Sequence, residues 1–169
     1  MLFLSDSMDI SKIEPGNKDV VNVFITCMKN SKDFYEYDFK TDTFILRKVL
    51  NISFPGVYGF VPRTHHIDAE PLDVLVLTSD AIQQGIVIPA RPVGIVRMRA
   101  SVPDDVLIAV PISDKSFEPI RDATVINNLE EIKNFLETFK ELKVESVLDS
   151  GHAKKSIENA INLYKKEFE

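Results

Sequence analysis

The sequence predicts one α+β domain, with helices packed against a curled sheet or small barrel. Three observations carry that prediction. The chain has 169 residues, which suits one sizeable core. A run of β-branched, partly alternating segments comes first, and two amphipathic helical patterns close the chain. No internal repeat, low-complexity stretch or linker divides it, so residues 1–169 read as a single domain.

The elements follow in order. Asp9 to Glu14 predicts one short helical turn, stopped by "PGN". "DVVNVFITCM" reads as a strand, and "DFYEYDFKTDTFILRKVL" as two strands joined by a turn near Lys40–Asp42. "FPGVYGFVP" carries two Gly and two Pro in nine residues and reads as an aromatic, turn-rich loop. "DVLVL", "IVIPARPVGIVRMRA" and "VLIAVPI" are strands, with Pro89 and Pro92 suggesting an edge or a bulge. Asn128 to Leu142 is helical: Leu129, Ile132, Phe135, Leu136 and Phe139 form one apolar stripe, and Asn128 is the expected cap. Ala153 to Phe168 repeats the pattern through Ile157, Ala160, Ile161 and Tyr164.

Composition narrows the function. Hydrophobic residues make up 44% and charged residues 27%, ordinary for a soluble globular chain. A formal net charge of -6 argues against nucleic acid as partner, and no basic stripe with interleaved aromatics is present. Cys27 is the only cysteine, which excludes an internal disulfide and a thiolate zinc cluster. "MLFLSDSM" is too short for a signal peptide, and no apolar run approaches a membrane span, so the expectation is a cytoplasmic protein without membrane contact.

The stretch "HHIDAEPLDVLVL" places Asp68, Glu70 and Asp73 at the mouth of an apolar strand. Hard cations favour carboxylate oxygens and would offset their repulsion. On its own the stretch leaves two readings open, a cation site and a solvated turn. Beyond it, "YEYD", "FPGVYGFVPRT", "EPLDVLVLT", "GIVIPARPVGIVRM", "LIAVP" and "NFLETFKEL" occur in an order and spacing that resemble the Mg²⁺-dependent inorganic pyrophosphatases of family I. The resemblance runs from about Asp19 to Tyr164. It implies a small distorted five-stranded β-barrel, OB-like, with two main helices outside.

The resemblance also implies roles. Asp68, Asp73 and Asp104 would be metal ligands for Mg²⁺, with Mn²⁺ or Zn²⁺ as alternatives, and Asp105 replaces Asp104 if the alignment slips by one. Glu70 stands where the family has the aspartate that orients or deprotonates the attacking water. Tyr58 matches an active-site tyrosine, Arg47 and Lys140 match phosphate-binding positions, and Glu36 matches an acidic one. Besides Glu70, five positions depart from the pattern: Phe24 and Ala100 replace carboxylates, Phe34 and Val106 replace lysines, and Phe139 replaces a tyrosine. The matches at Phe24 and Arg47 each need a one-residue gap.

Hydrolysis of a phosphoanhydride depends on positioning and electrostatic stabilisation. The lost cations and hydroxyl therefore imply strongly impaired hydrolysis of pyrophosphate, with one weak metal site remaining. Lys32 and Arg63 are the candidate compensating cations. The alternative is a pseudoenzyme that binds another phosphate anion or serves in assembly. Phe24, Phe34 and Phe139 would then line an apolar pocket, although core packing is their commoner use. His65 and His66 are adjacent on an extended segment and point apart, so surface or hydrogen-bonded roles are expected, and a structural role for His152. The resemblance further implies a homo-oligomer, a hexamer in prokaryotes.

Overall fold

The computed structural model describes residues 2–3, 9–67 and 69–169. Nine strands are described: β1 (Leu2–Phe3), β2 (Val21–Cys27), β3 (Asp33–Asp38), β4 (Thr43–Val49), β5 (Val57–Val61), β6 (Leu72–Val76), β7 (Ile86–Arg99), β8 (Asp104–Pro111) and β9 (Lys143–Leu148). Two helices accompany them, α1 (Leu129–Lys140) and α2 (Ser150–Phe168). Strands β7, β2, β5, β6 and β8 pair in that order, and β8 pairs again with β7, closing a ring of five strands. The pairings are antiparallel except β6 with β8, which run parallel. This is the curled α+β architecture expected, with two helices packed against the ring's strands.

Period-two alternation explains how the ring builds two cores. On β8, Leu107 and Ala109 join a cluster with Val74 and Val76 of β6 and with Ala153, Ile157 and Ala160 of α2. The intervening Val106, Ile108 and Val110 join Leu75 and the α1 stripe of Ile132, Phe135 and Leu136. Each helix therefore covers residues of opposite strand parity. A third, aromatic cluster places Phe24 and Phe60 against Tyr37 and Phe44 of the separate β3–β4 hairpin.

Several expectations change. "FPGVYGFVP" contains a fully buried strand, Val57–Val61, rather than only a loop. Its glycine is required by the sheet: a Cβ at Gly59 would collide with the carbonyl oxygen of Phe24 on the neighbouring strand. Residues 86–99 form one long strand that is paired on both sides, so its prolines do not mark an edge. Pro92 marks a bulge instead, since the register with β8 shifts between Pro92 and Gly94, whereas Pro89 sits in regular register opposite Asn22. Asn128 makes no side-chain cap bond, because its φ of -100° and ψ of 27° lie outside the extended region a cap needs. The final helix begins earlier than expected, where Asp149 accepts from the backbone N–H of His152. Strand β9 was not anticipated and pairs with the end of β7. The short turn at Ile10–Lys12 forms as expected, capped by Asp9.

Candidate active site

The ring register assembles the site. Asp73 of β6 sits opposite Val106 of the parallel strand β8. Asp104 lies two residues before Val106 and so shares its face. Asp105 has the other parity, and its carboxylate meets His66 Nε2 at 3.2 Å and Arg97 Nε at 3.5 Å. Strand alternation thus selects Asp104, not Asp105, as the partner of Asp73. On β5, Phe60 faces Asp73 and Tyr58 faces Leu75, which brings the Tyr58 hydroxyl within reach of the acid. Tyr58 Oη donates to Asp73 Oδ2 at 2.9 Å.

The fourth member comes from the last residue of α1. Lys140 Nζ donates to Asp73 Oδ2 and to Asp104 Oδ1, each at 3.0 Å. The helix stops there because Glu141 adopts the left-handed conformation, φ 56°. Burial by itself would lower the Lys140 pKa, but the Asp73 and Asp104 carboxylates outweigh it and raise it above the ordinary value. Burial, reinforced by Asp73, pushes the Tyr58 hydroxyl well above its ordinary value. Both groups are consequently protonated donors at neutral pH.

These residues form part of the wall of a cleft of about 420 Å³. Glu70 and Glu36 also line it. Lys140 is the one lysine or arginine among the described lining residues, whereas Tyr35, Tyr37, Phe39 and Phe60 add a broad aromatic surface. Cys27 is no candidate nucleophile, because burial pushes its thiol up to about 11.

The other sequence-derived residues fall into groups. Asp68 lies outside the described residues. Arg47 turns Nε onto Glu36 Oε2 at 3.2 Å and is not part of the lining. Lys48, its neighbour, lies opposite Phe34 and reaches Glu141 at 3.5 Å. Phe34 and Phe139 both line the cleft and pack edge to face at 4.8 Å. Phe24 is fully buried in the aromatic cluster, and Thr26, two residues on, lines the cleft instead. Val106 is buried beneath the site, and Ala100 is exposed. Neither compensating cation enters the lining: Lys32 is exposed, and Arg63 is bound to Glu14 and Glu169.

The two histidines do point apart. His65 Nδ1 lies 2.8 Å from Glu167 Oε2, and its ring packs edge-on to Tyr164 and Phe168 of α2. His66 lines the cleft on the side of Asp105. The Asp105–His66–Arg97 group was not identified from sequence, since its members are far apart in the chain. The aromatic lining was partly visible in the alternating "YEYDF".

Asp73 and Asp104 converge on a single cation position, which the Lys140 ammonium now marks. Oxygen donors of this kind suit a hard divalent ion, and Mg²⁺ commonly uses one or two carboxylates and keeps its remaining waters. The residues present therefore fit such an ion. No cluster of three or more His, Cys, Asp or Glu side chains is close enough to hold one among the described residues.

A five-stranded ring carries an acid-lined cleft at the β6 and β8 strand starts, an α+β scaffold whose class the comparisons define. The inorganic pyrophosphatase family model matches residues 23–165. The chain is 36% identical over 165 residues to an inorganic pyrophosphatase of Haloferax volcanii, covering 91% of this chain and 93% of that protein. It is 39% identical over 171 residues to one from Saccharolobus solfataricus, covering 91% and 98%. The crystal structure of inorganic pyrophosphatase from Thermus thermophilus superposes with a TM-score of 0.87 at 31% identity, covering 94% of this chain and 99% of that one. The chain belongs to the inorganic pyrophosphatase family.

Proposed function

We propose that the chain is a metal-dependent hydrolase that converts inorganic pyrophosphate to phosphate, slowly for its family. The observation that supports this reading is the convergence of Asp73 and Asp104 on one cation position beside the Tyr58 hydroxyl. Family membership supports the choice of substrate. Asp73, Asp104 and Asp68 would hold Mg²⁺, or Mn²⁺ or Zn²⁺ in its place. When bound, such an ion neutralises phosphate oxygens and makes a water ligand more acidic.

The chain's own residues do the rest. The Glu70 carboxylate takes the proton of the attacking water. Lys140 Nζ and Tyr58 Oη donate to phosphate oxygens, and Arg47, aligned by Glu36, adds charge at the cleft rim. Phe34 and Phe139 supply neither cation nor hydroxyl at the wall, and Val106 none beneath it. Loss of one such donor costs about two to three decades in rate. We further propose one domain over residues 1–169, a homo-oligomer that is hexameric as the family resemblance implies, and a cytoplasmic location.

A second reading is a pseudoenzyme that binds a phosphate anion or acts in assembly. It is favoured by the Phe34–Phe139 contact in the cleft wall. Phosphate release from pyrophosphate with Mg²⁺, Mn²⁺ or Zn²⁺ separates the two, with Asp73→Asn as control. Slow release abolished by the control supports hydrolysis. No release with any metal supports the second reading, and turnover at the full family rate refutes impairment.

A further inference from the structure

We propose that Lys140 is a tethered competitor for the divalent cation, and that its release couples metal binding to phosphate binding. The proposal rests on the reading of the cleft as a metal and phosphate site. Its observations are geometric. The ammonium bridges two strands, 3.0 Å from Asp73 Oδ2 and 3.0 Å from Asp104 Oδ1. Only 14% of the Lys140 side chain is exposed, while Asp73 and Asp104 keep 34% and 31% of theirs open toward the cleft. The Nζ also lies 5.9 Å from the Phe139 ring centroid, on the edge of the aromatic wall.

A divalent ion seated on the same two oxygens would stand within a few ångströms of the ammonium. Two cations at that distance repel, so the ammonium must leave as the ion arrives. The lysine stem has four carbons and can swing while the helix end, fixed by the turn at Glu141, stays in place. Phe34 and Phe139 offer the displaced charge no counter-ion, and of the other carboxylates in the lining Glu36 is paired with Arg47 and Asp105 with His66 and Arg97. A phosphate oxygen in the open cleft supplies one. Metal therefore frees the donor that phosphate collects, and phosphate removes the metal's competitor. Linkage requires the effect to be reciprocal.

Calorimetric titration of Mg²⁺ into the intact protein, with and without inorganic phosphate, tests this on wild type and Lys140→Met. Without phosphate, K140M should bind Mg²⁺ about tenfold more tightly than wild type. Phosphate should tighten Mg²⁺ binding in wild type, and that gain should shrink in the variant. Equal or weaker binding by K140M overturns the coupling. If such binding persists in wild type and is lost in Asp73→Asn, the metal site itself stands. Absence of Mg²⁺ binding in wild type and K140M alike overturns both. Should K140M not fold, lysine side-chain NMR of wild type serves. The Lys140 resonance, identified through its proximity to Phe139, should move on Mg²⁺ saturation, and an unmoved resonance overturns the proposal.

Discussion

Two groups of carboxylates in this molecule sit beside strand ends and are served very differently. Asp114, just after β8, is buried and saturated: it accepts from Thr78 Oγ1 at 3.0 Å, Ser79 N at 2.7 Å, Ser79 Oγ at 2.9 Å and Ser116 N at 3.1 Å. Asp73 and Asp104, at the starts of β6 and β8, share a single ammonium, and 34% and 31% of their side chains remain exposed. A carboxylate whose lone pairs are filled by its own chain holds the fold together. One that keeps free acceptor capacity toward a cleft is available to a ligand. The contrast separates a structural acid from candidate ligand-binding ones without reference to any relative.

The sharpest way to break this contrast is to neutralise one acid from each group. Asp73→Asn should lower phosphate release by about two to three decades or more, while the melting temperature changes little. A large loss of stability with retained release would reverse the assignment. Asp114→Ala should do the opposite. Removing charged hydrogen bonds and leaving Ser79 N unsatisfied should cost about 3 kcal/mol of stability, read by urea denaturation, with Mg²⁺ binding unchanged.

Acid titration sharpens the structural half. Burial by itself would raise the Asp114 pKa, but the bonds from Ser79, Thr78 and Ser116 overcome it and hold the carboxyl below its ordinary value. A depressed folded-state pKa contributes stability that is present above the unfolded pKa and lost as pH falls through the folded one. The stability difference between wild type and Asp114→Asn should therefore be flat above about pH 5 and shrink below about pH 4. A difference that grows on acidification would show that the bonds do not favour the ionised form.

The same contrast explains what sequence could reveal. Asp73, Asp104, Tyr58 and Lys140 were candidates because the motifs that hold them resemble those of a known family; the structure brings the four together, and strand parity places Asp104 rather than Asp105 beside Asp73. The ring strands were legible from their apolar periodicity. Strand β5 was not, because Pro55, Gly56 and Gly59 signal a turn locally, whereas the need for Gly59 arises from the carbonyl of Phe24 across the sheet. Strand β9 escaped notice because "KVESVL" is short and half polar, and its pairing with β7 is set by tertiary contact. Arg47 illustrates a different limit. The β3–β4 register shifts between Phe34 and Tyr35, so linear spacing alone does not determine which of Arg47 and Lys48 lies opposite Phe34.

The smallest expected effect tests the aromatic side of the cleft. Phe139 lines it next to Lys140, with its ring 4.8 Å from Phe34 and 5.1 Å from Tyr58. Phe139→Tyr keeps these ring contacts and adds one hydroxyl donor beside the ammonium. A donor placed toward phosphate should raise the rate of pyrophosphate hydrolysis by up to about tenfold, which corresponds to about 1.4 kcal/mol. Stability should stay within about 1 kcal/mol, because Phe139 lines the cleft and is only half-buried. A gain confined to KM would mean that the hydroxyl binds substrate and transition state alike; a gain in kcat would mean that it acts on the transition state. A lower melting temperature without any change in rate would instead show that position 139 serves packing alone, and the aromatic wall would then belong with the structural acids rather than with the site.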